Sequence, residues 1–118
     1  MTIPKTIGGN KVIACKKDLL KDKADVITSV TIEAELTSLP DGFFSNFNKL
    51  ETVNLSDTIT NLGTDTFYCC RKLKTVKLPE NIEKIGKSTF SHCESLEDIQ
   101  IPDKVTQIEW DAFWSCSL

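Results

Sequence analysis

The 118-residue chain is short of the groups that usually carry chemistry. It has a single histidine, which leaves no second imidazole for a catalytic array. Its five cysteines contain no CxxC pair, so a structural zinc site would lack its usual paired ligands at short spacing. Five is also odd, which excludes complete intramolecular pairing of the thiols. No apolar run exceeds four residues, as in Val12 to Cys15. A membrane helix needs about 20 and a secretory leader about 7–15, so the sequence predicts no membrane insertion. There is no basic excess either. The 14 basic and 17 acidic residues give a net charge of −3, against a general nucleic-acid binder or a polybasic membrane anchor. No glycine-rich phosphate loop, HExxH or GxSxG motif occurs. These gaps predict a chain without catalytic, metal or cofactor residues. Its size suits a single domain whose core needs no staples.

What the sequence does have is a period. Cys70, Cys93 and Cys116 are 23 residues apart. The same step aligns Ile27, Leu50, Leu73 and Leu96, then Val30, Val53, Val76 and Ile99. It aligns Ile32, Leu55, Leu78 and Ile101, and Leu36, Ile59, Ile82 and Val105. Leu39, Leu62, Ile85 and Ile108 follow, with Phe44, Phe67, Phe90 and Phe113, and Phe47 heads the cysteine column. Seven apolar columns thus run without insertion from 27 to 116. A fixed period of this length marks a solenoid, in which each unit buries its apolar face only against its neighbours.

Each unit is expected to form a coil. Leu73-Lys-Thr-Val76-Lys-Leu78 alternates with the two-residue step of a strand. Pro79 and Pro102 cannot donate a ladder hydrogen bond and end the pairing. An extended arm follows with Ile82 and Ile85 inward, and Gly63 and Gly86 permit a bend. Gly42, Asp65, Ser88 and Asp111 are residue types favoured at helix N-caps. A short helical turn is therefore predicted after each, with Phe90 and Cys93 three apart on its inner face. Residues 1–26 fit the period less well. They are expected to cap the first parallel strand, and Ile3-Pro4-Lys-Thr-Ile7 looks like a worn copy of Leu78-Pro79-Glu-Asn-Ile82. Gly8-Gly9-Asn10 reads as a turn, and Val12 to Lys21 fits either a short helix or a strand.

These residues resemble the 23-residue leucine-rich repeat of BspA-like surface proteins. The family pattern is roughly LxxIxLPxxIxxIGxxAFxxCxxL, and Leu73-KTVKLPENIEKIGKSTFSHCESL matches it almost column for column. The resemblance covers 27–118, with Glu33 at a proline position, Phe47 at a cysteine position and Glu109 at a glycine position. It implies an α/β, right-handed solenoid of about four repeats, with a parallel sheet on one face and helical turns on the other. It also implies a protein-binding role, since BspA-like proteins are associated with surface attachment and binding of host or matrix proteins.

On the residues themselves, the candidate binding surface is the outward side of the strands: Ser29 and Thr31, Thr52 and Asn54, Thr75 and Lys77, Asp98 and Gln100. These are small and polar, with no aromatic anchor. Trp110 and Trp114, four apart on one predicted turn and extended by Tyr68, would form an exposed aromatic patch; the competing reading is that they cover the final coil. The column Glu51, Lys74, Glu97 alternates in sign and supports register. Cys70, Cys93 and Cys116 read as buried small hydrophobes, whereas Cys69, in a polar column, faces outward. His92 and Cys93, as successive residues, point in opposite directions and make no nucleophile pair. The sequon Asn54-Leu55-Ser56 lies on a strand and reads as a chance match.

The expectation is a non-catalytic interaction module with a protein partner, at the cell surface or secreted by resemblance. An intracellular regulatory domain of a larger protein is the alternative, favoured by unpaired cysteines. A third reading is self-assembly through the C-terminal end. The next strand column would start at 119, so a C-terminal cap is expected to be missing, and the expectation is a fragment, a partner at that end, or a terminal packing that Trp110 and Trp114 help to seal.

Overall fold

The computed structural model of the chain describes residues 1–7, 10–11 and 20–118, with the main chain alone for Thr6, Ile7, Asn10 and Lys11. Val12–Leu19, including Cys15 and most of the segment left open between helix and strand, lie outside the described residues, as do Gly8 and Gly9.

Two parallel four-stranded sheets organise the coil stack. The first contains β1 (Thr2–Ile3), β4 (Ser29–Ile32), β6 (Thr52–Asn54) and β8 (Thr75–Lys77), side by side in that order. Its register follows the 23-residue step, with Val30 opposite Val53 and Val53 opposite Val76. Inward Val30, Val53 and Val76 are buried while Ser29, Thr52 and Thr75 face solvent, which is the alternation expected of a half-buried strand. Thr2 and Ile3 pair with Thr31 and Ile32, so the first repeat strand has a neighbour on that edge. A short antiparallel pair, β2 (Thr6–Ile7) and β3 (Asn10–Lys11), lies beyond it.

The arms form the second sheet: β5 (Ser38–Leu39), β7 (Asn61–Leu62), β9 (Lys84–Ile85) and β10 (Gln107–Ile108). One inward residue per coil, Leu39, Leu62 or Ile85, joins the core from here. Between the sheets the phenylalanine column stacks face to face. Centroids are 5.3 Å apart from Phe44 to Phe67, Phe67 to Phe90 and Phe90 to Phe113, with planes 7–8° from parallel. The inward columns of the first three coils are buried in one continuous cluster. In the last coil Ile99, Val105, Phe113 and Cys116 are half-buried, and Ile108 is half exposed.

The helical turns expected after Gly42, Asp65, Ser88 and Asp111 do not form, so the chain is a parallel-sheet solenoid rather than an α/β one. Among the described residues the sole helical segment is a 3₁₀ turn at Lys21–Lys23. The physical reason lies in the same residues. Gly42, Asp65, Ser88 and Asp111 all have positive φ, between 54° and 67°. So do Asn46, Cys69, His92 and Ser115, four positions later, between 58° and 63°. Two left-handed residues per coil interrupt any right-handed helix. Glycine, asparagine and aspartate tolerate that region as well as they cap helices, which is why residue type alone suggested N-caps. The segment closes by i to i−3 turns instead, such as Tyr68 N–H to Asp65 C=O at 3.1 Å and Cys70 N–H to Phe67 C=O at 3.2 Å. It also bonds coil to coil, as in Phe67 N–H to Thr89 C=O at 2.8 Å and His92 N–H to Trp114 C=O at 2.8 Å.

Gly63 does not serve a bend through its φ. A Cβ there would meet Asp41 Oδ1 at 2.4 Å and Asp41 N at 2.7 Å, so glycine is needed for the close approach of the preceding coil. The strand expected in the last coil is also absent. Residues 98–101 carry the correct alternation but pair with no neighbour.

Candidate interaction surface

The outward residues of β4, β6 and β8 sit where their alternation predicts. Ser29, Thr52, Asn54, Thr75 and Lys77 are exposed and Thr31 is half-buried. Parallel register lines up Ser29, Thr52 and Thr75 in one row and Thr31, Asn54 and Lys77 in the next. Asp98 and Gln100 are exposed but do not extend these rows, because their segment stands off the sheet. Lys74 reaches Glu51 at 3.7 Å. Both side chains are largely solvated, so this pair supports register weakly, about 0–1 kcal/mol.

A second surface lies over the left-handed turns. Cys69, His92 and Ser115, two residues after each phenylalanine, have positive φ. Tyr68, His92 and Trp114, from three successive coils, meet in a row. The Tyr68 and His92 rings are edge to face at 5.7 Å, and those of His92 and Trp114 are tilted at 5.5 Å. Trp110 lies under the Lys87 ammonium, 5.2 Å from its ring centroid, a cation–π contact. Trp110 and Trp114 remain 69% and 62% exposed. Sequence reasoning paired the two tryptophans on one helical turn. Without the helix each reaches back to the preceding coil instead. Ser91, in the column of Tyr68 and Trp114, is buried rather than exposed. His92 belongs to the aromatic row, a role its polar column did not signal.

The chemistry around these surfaces is quiet. Cys70 and Cys93 are fully buried, and each thiol donates to a phenylalanine carbonyl of the preceding coil: Cys70 to Phe44 at 3.0 Å, Cys93 to Phe67 at 3.2 Å. Cys116 does the same to Phe90 at 3.0 Å. Burial pushes the Cys70 thiol up to about 12 and raises Cys93 and Cys116 as well. These are neutral hydrogen-bond donors at ordinary pH, not nucleophiles. Cys69 is half-buried; its hydrogen bond raises the Tyr68 phenol. Cys93 points inward while His92 sits in the ring row, so the two form no nucleophile pair. Glu109, at a glycine position of the repeat, turns its carboxylate back to Lys84 at 2.7 Å and to the Lys87 N–H at 2.8 Å. Those partners hold its carboxyl below the usual range. Among the described residues no group of three or more His, Cys, Asp or Glu side chains is placed to hold a metal ion, and no helix is long and apolar enough to cross a membrane.

An eighth inward column, unmarked by hydrophobicity, is also visible. Phe43, Thr66, Thr89 and Ala112 are all buried. The two threonines satisfy their hydroxyls locally, Thr66 on Gly63 C=O at 2.6 Å and Thr89 on Gly86 C=O at 2.7 Å. A column mixing Phe, Thr and Ala gives no apolar signal in sequence.

Comparison with solved structures returns the same architecture. A leucine-rich repeat protein of T. pallidum is 23% identical with a TM-score of 0.83, over 96% of this chain and 52% of that one. A leucine-rich repeat protein of Eubacterium ventriosum is 25% identical with a TM-score of 0.78, over 99% and 30%. A leucine-rich cell surface protein of Faecalibacterium prausnitzii is 28% identical with a TM-score of 0.72, over 75% and 23%. The chain thus spans from about a quarter to about half of the length of these proteins. No curated protein sequence matches it. The BspA type leucine-rich repeat region matches residues 22–118 in six copies. With the 23-residue coil, the paired parallel sheets and the phenylalanine stack, this places the chain in the BspA-type leucine-rich repeat family.

Proposed function

We propose that this chain is a non-catalytic module that binds a protein partner through the aromatic row of Tyr68, His92 and Trp114 together with the exposed Trp110. The observation that carries the reading is the exposure of two tryptophans, at 69% and 62%, on a stack that buries most of its phenylalanine rings. Tryptophan is enriched in binding hot spots, and rings fixed by their neighbours lose little freedom on binding. Repeat domains of this kind generally serve as protein-interaction modules. The strand face is the secondary surface, because Thr52, Asn54, Thr75 and Lys77 offer hydrogen bonds without an anchor. A cell-surface setting is supported by the similarity to the F. prausnitzii surface protein and by the attachment role associated with BspA-like proteins.

The test is binding of the purified chain to a panel of immobilised extracellular-matrix and host surface proteins. Trp110→Ala/Trp114→Ala is run beside Thr52→Ala/Thr75→Ala. Loss of at least tenfold affinity in the tryptophan pair alone, with folding intact, is the expected outcome. Equal affinity of the tryptophan pair and the parent chain overturns the assignment of the surface. The free state of all four described cysteines favours a second reading, a partner inside a reducing compartment. A panel of cytoplasmic proteins tested in the same way distinguishes it.

A further inference from the structure

We infer that residues 98–101 are a strap that closes onto the free edge of β8 and opens again, adding a fifth strand to the first sheet when closed. The sequence register puts Ile99 in the column of Val76, Ile101 in that of Leu78, and Asp98 and Gln100 in those of Thr75 and Lys77. The coil around the strap is docked on both sides of it. Leu96 is fully buried before it. After it, β10 pairs with β9, and Phe113 stacks on Phe90 at 5.3 Å. In the two preceding coils the strand entry is tied to its neighbour, by Glu51 N–H to Thr28 C=O at 2.8 Å and Lys74 N–H to Glu51 C=O at 2.9 Å. The equivalent bond from Glu97 to Lys74 is not made. Ile101 is 38% exposed where Leu78 is 5% exposed. Two clefts lie between the strap and β8. One, of about 480 Å³, is lined by Val76, Leu78, Ile101 and Pro102 among others. The other, of about 520 Å³, is lined by Lys74, Thr75, Glu97 and Asp98 among others.

The edge facing those clefts is chemically unfinished. Thr75 N–H bonds to Glu51 C=O at 3.2 Å, and Lys77 C=O accepts from Leu55 N–H at 3.4 Å. Residues 75 and 77 therefore turn their peptide groups toward β6. Alternation along a strand then aims the N–H and C=O of Val76 at the strap side, where no main-chain group of the described residues meets them. Closure would pair Val76 N–H with Asp98 C=O and Gln100 N–H with Val76 C=O. It would bury Ile99 and Ile101 and bring Glu97 beside Lys74, continuing the Glu51–Lys74 pair. Against closure stands the conformational entropy of the strap residues, of which Ile99 alone is packed against the core. The strap is thus a two-state element, and its closed state carries Asp98 and Gln100 into the outward rows of the sheet.

Amide hydrogen exchange by NMR on the full chain tests this, comparing the parent with Gln100→Pro and Gln100→Ala. Proline removes the donor that closure needs. In the parent, Val76 is expected to be protected at least about tenfold less than Val53, yet measurably above an unfolded amide. Gln100→Pro is expected to abolish the Val76 protection and leave Val53 unchanged, whereas Gln100→Ala leaves both unchanged. The parent spectrum supplies a second measure that needs no variant, a weak through-space contact between the Val76 amide and the Ile99 α-proton. Protection of Val76 equal to that of Val53 overturns the proposal, since the strand is then permanent. An unprotected Val76 without that contact, or a protected one that Gln100→Pro does not change, overturns it equally.

Discussion

Truncating Phe67 to alanine removes the ring that links the second coil to both of its neighbours. Phe67 is fully buried and stacks on Phe44 and on Phe90, each at 5.3 Å. A buried phenylalanine-to-alanine change costs about 3–5 kcal/mol in transfer and cavity terms. The backbone ladders on either side limit collapse of the void, so about 4 kcal/mol is expected. Phe113 is half-buried and has one stacked partner, Phe90. Its truncation should cost about half as much, roughly 2 kcal/mol. Phe67→Leu keeps most of the volume and should cost about 1.5 kcal/mol. Urea unfolding followed by fluorescence of Trp110 and Trp114 reads all three. With a slope of about 2 kcal/mol per molar for a chain of this size, Phe67→Ala should lower the midpoint by about 2 M and Phe113→Ala by about 1 M. Domain stabilities of about 5–15 kcal/mol put Phe67→Ala near the limit of folding, and Phe67→Leu keeps the comparison measurable. Equal losses at Phe67 and Phe113, or a loss below about 1 kcal/mol at Phe67→Ala, would refute the continuous stack.

The remaining predictions concern the turns, the close contacts and the thiols. Cys69, at φ 58°, should gain up to about 1 kcal/mol on change to Asn and lose more than about 1 kcal/mol on change to Val, since a β-branched residue is strained there; thermal unfolding reads both. Gly63→Ala should cost about 1–3 kcal/mol because the new methyl meets Asp41 main chain. Gly86→Ala, whose nearest contact would be Leu62 C=O at 3.3 Å, should cost less, and an equal loss at both would contradict the geometry. Raised thiol values in the folded state stabilise the fold below the unfolded value near 9. Above it the unfolded chain sheds protons that the folded chain keeps. Stability should then fall by about 1.4 kcal/mol per pH unit for each buried thiol, continuing for Cys70 toward pH about 12. Cys70→Ala should flatten that alkaline slope in pH-dependent urea unfolding, and an unaltered slope would count against burial as its source.

Much of this molecule is legible in its sequence because a solenoid repeats the same packing problem. The seven apolar columns become the core, and the alternation of Thr75-Val76-Lys77 becomes β8. The turns were misread for a physical reason. Asp65 and Asp111 suit a helix N-cap and a left-handed turn alike, and only the second such position four residues on distinguishes the two. Gly63 reads as a bend residue because sequence does not show which neighbour a missing Cβ admits. The column of Phe43, Thr66, Thr89 and Ala112 escaped notice because its threonines hide their hydroxyls on local carbonyls. Surface function is less legible still. Trp110 and Trp114 are legible as exposed aromatics, but their partners Lys87 and His92 belong to the preceding coil, and His92 to a different column from Trp114.

The left-handed turn residues and the aromatic row depend on each other, so one measurement tests both. A NOESY spectrum of the folded chain should show contacts from the His92 ring to the rings of Tyr68 and Trp114, with little contact between Trp110 and Trp114. Strong contacts between the two tryptophans, with none from His92 to either neighbour, would restore the helical turn and contradict the account.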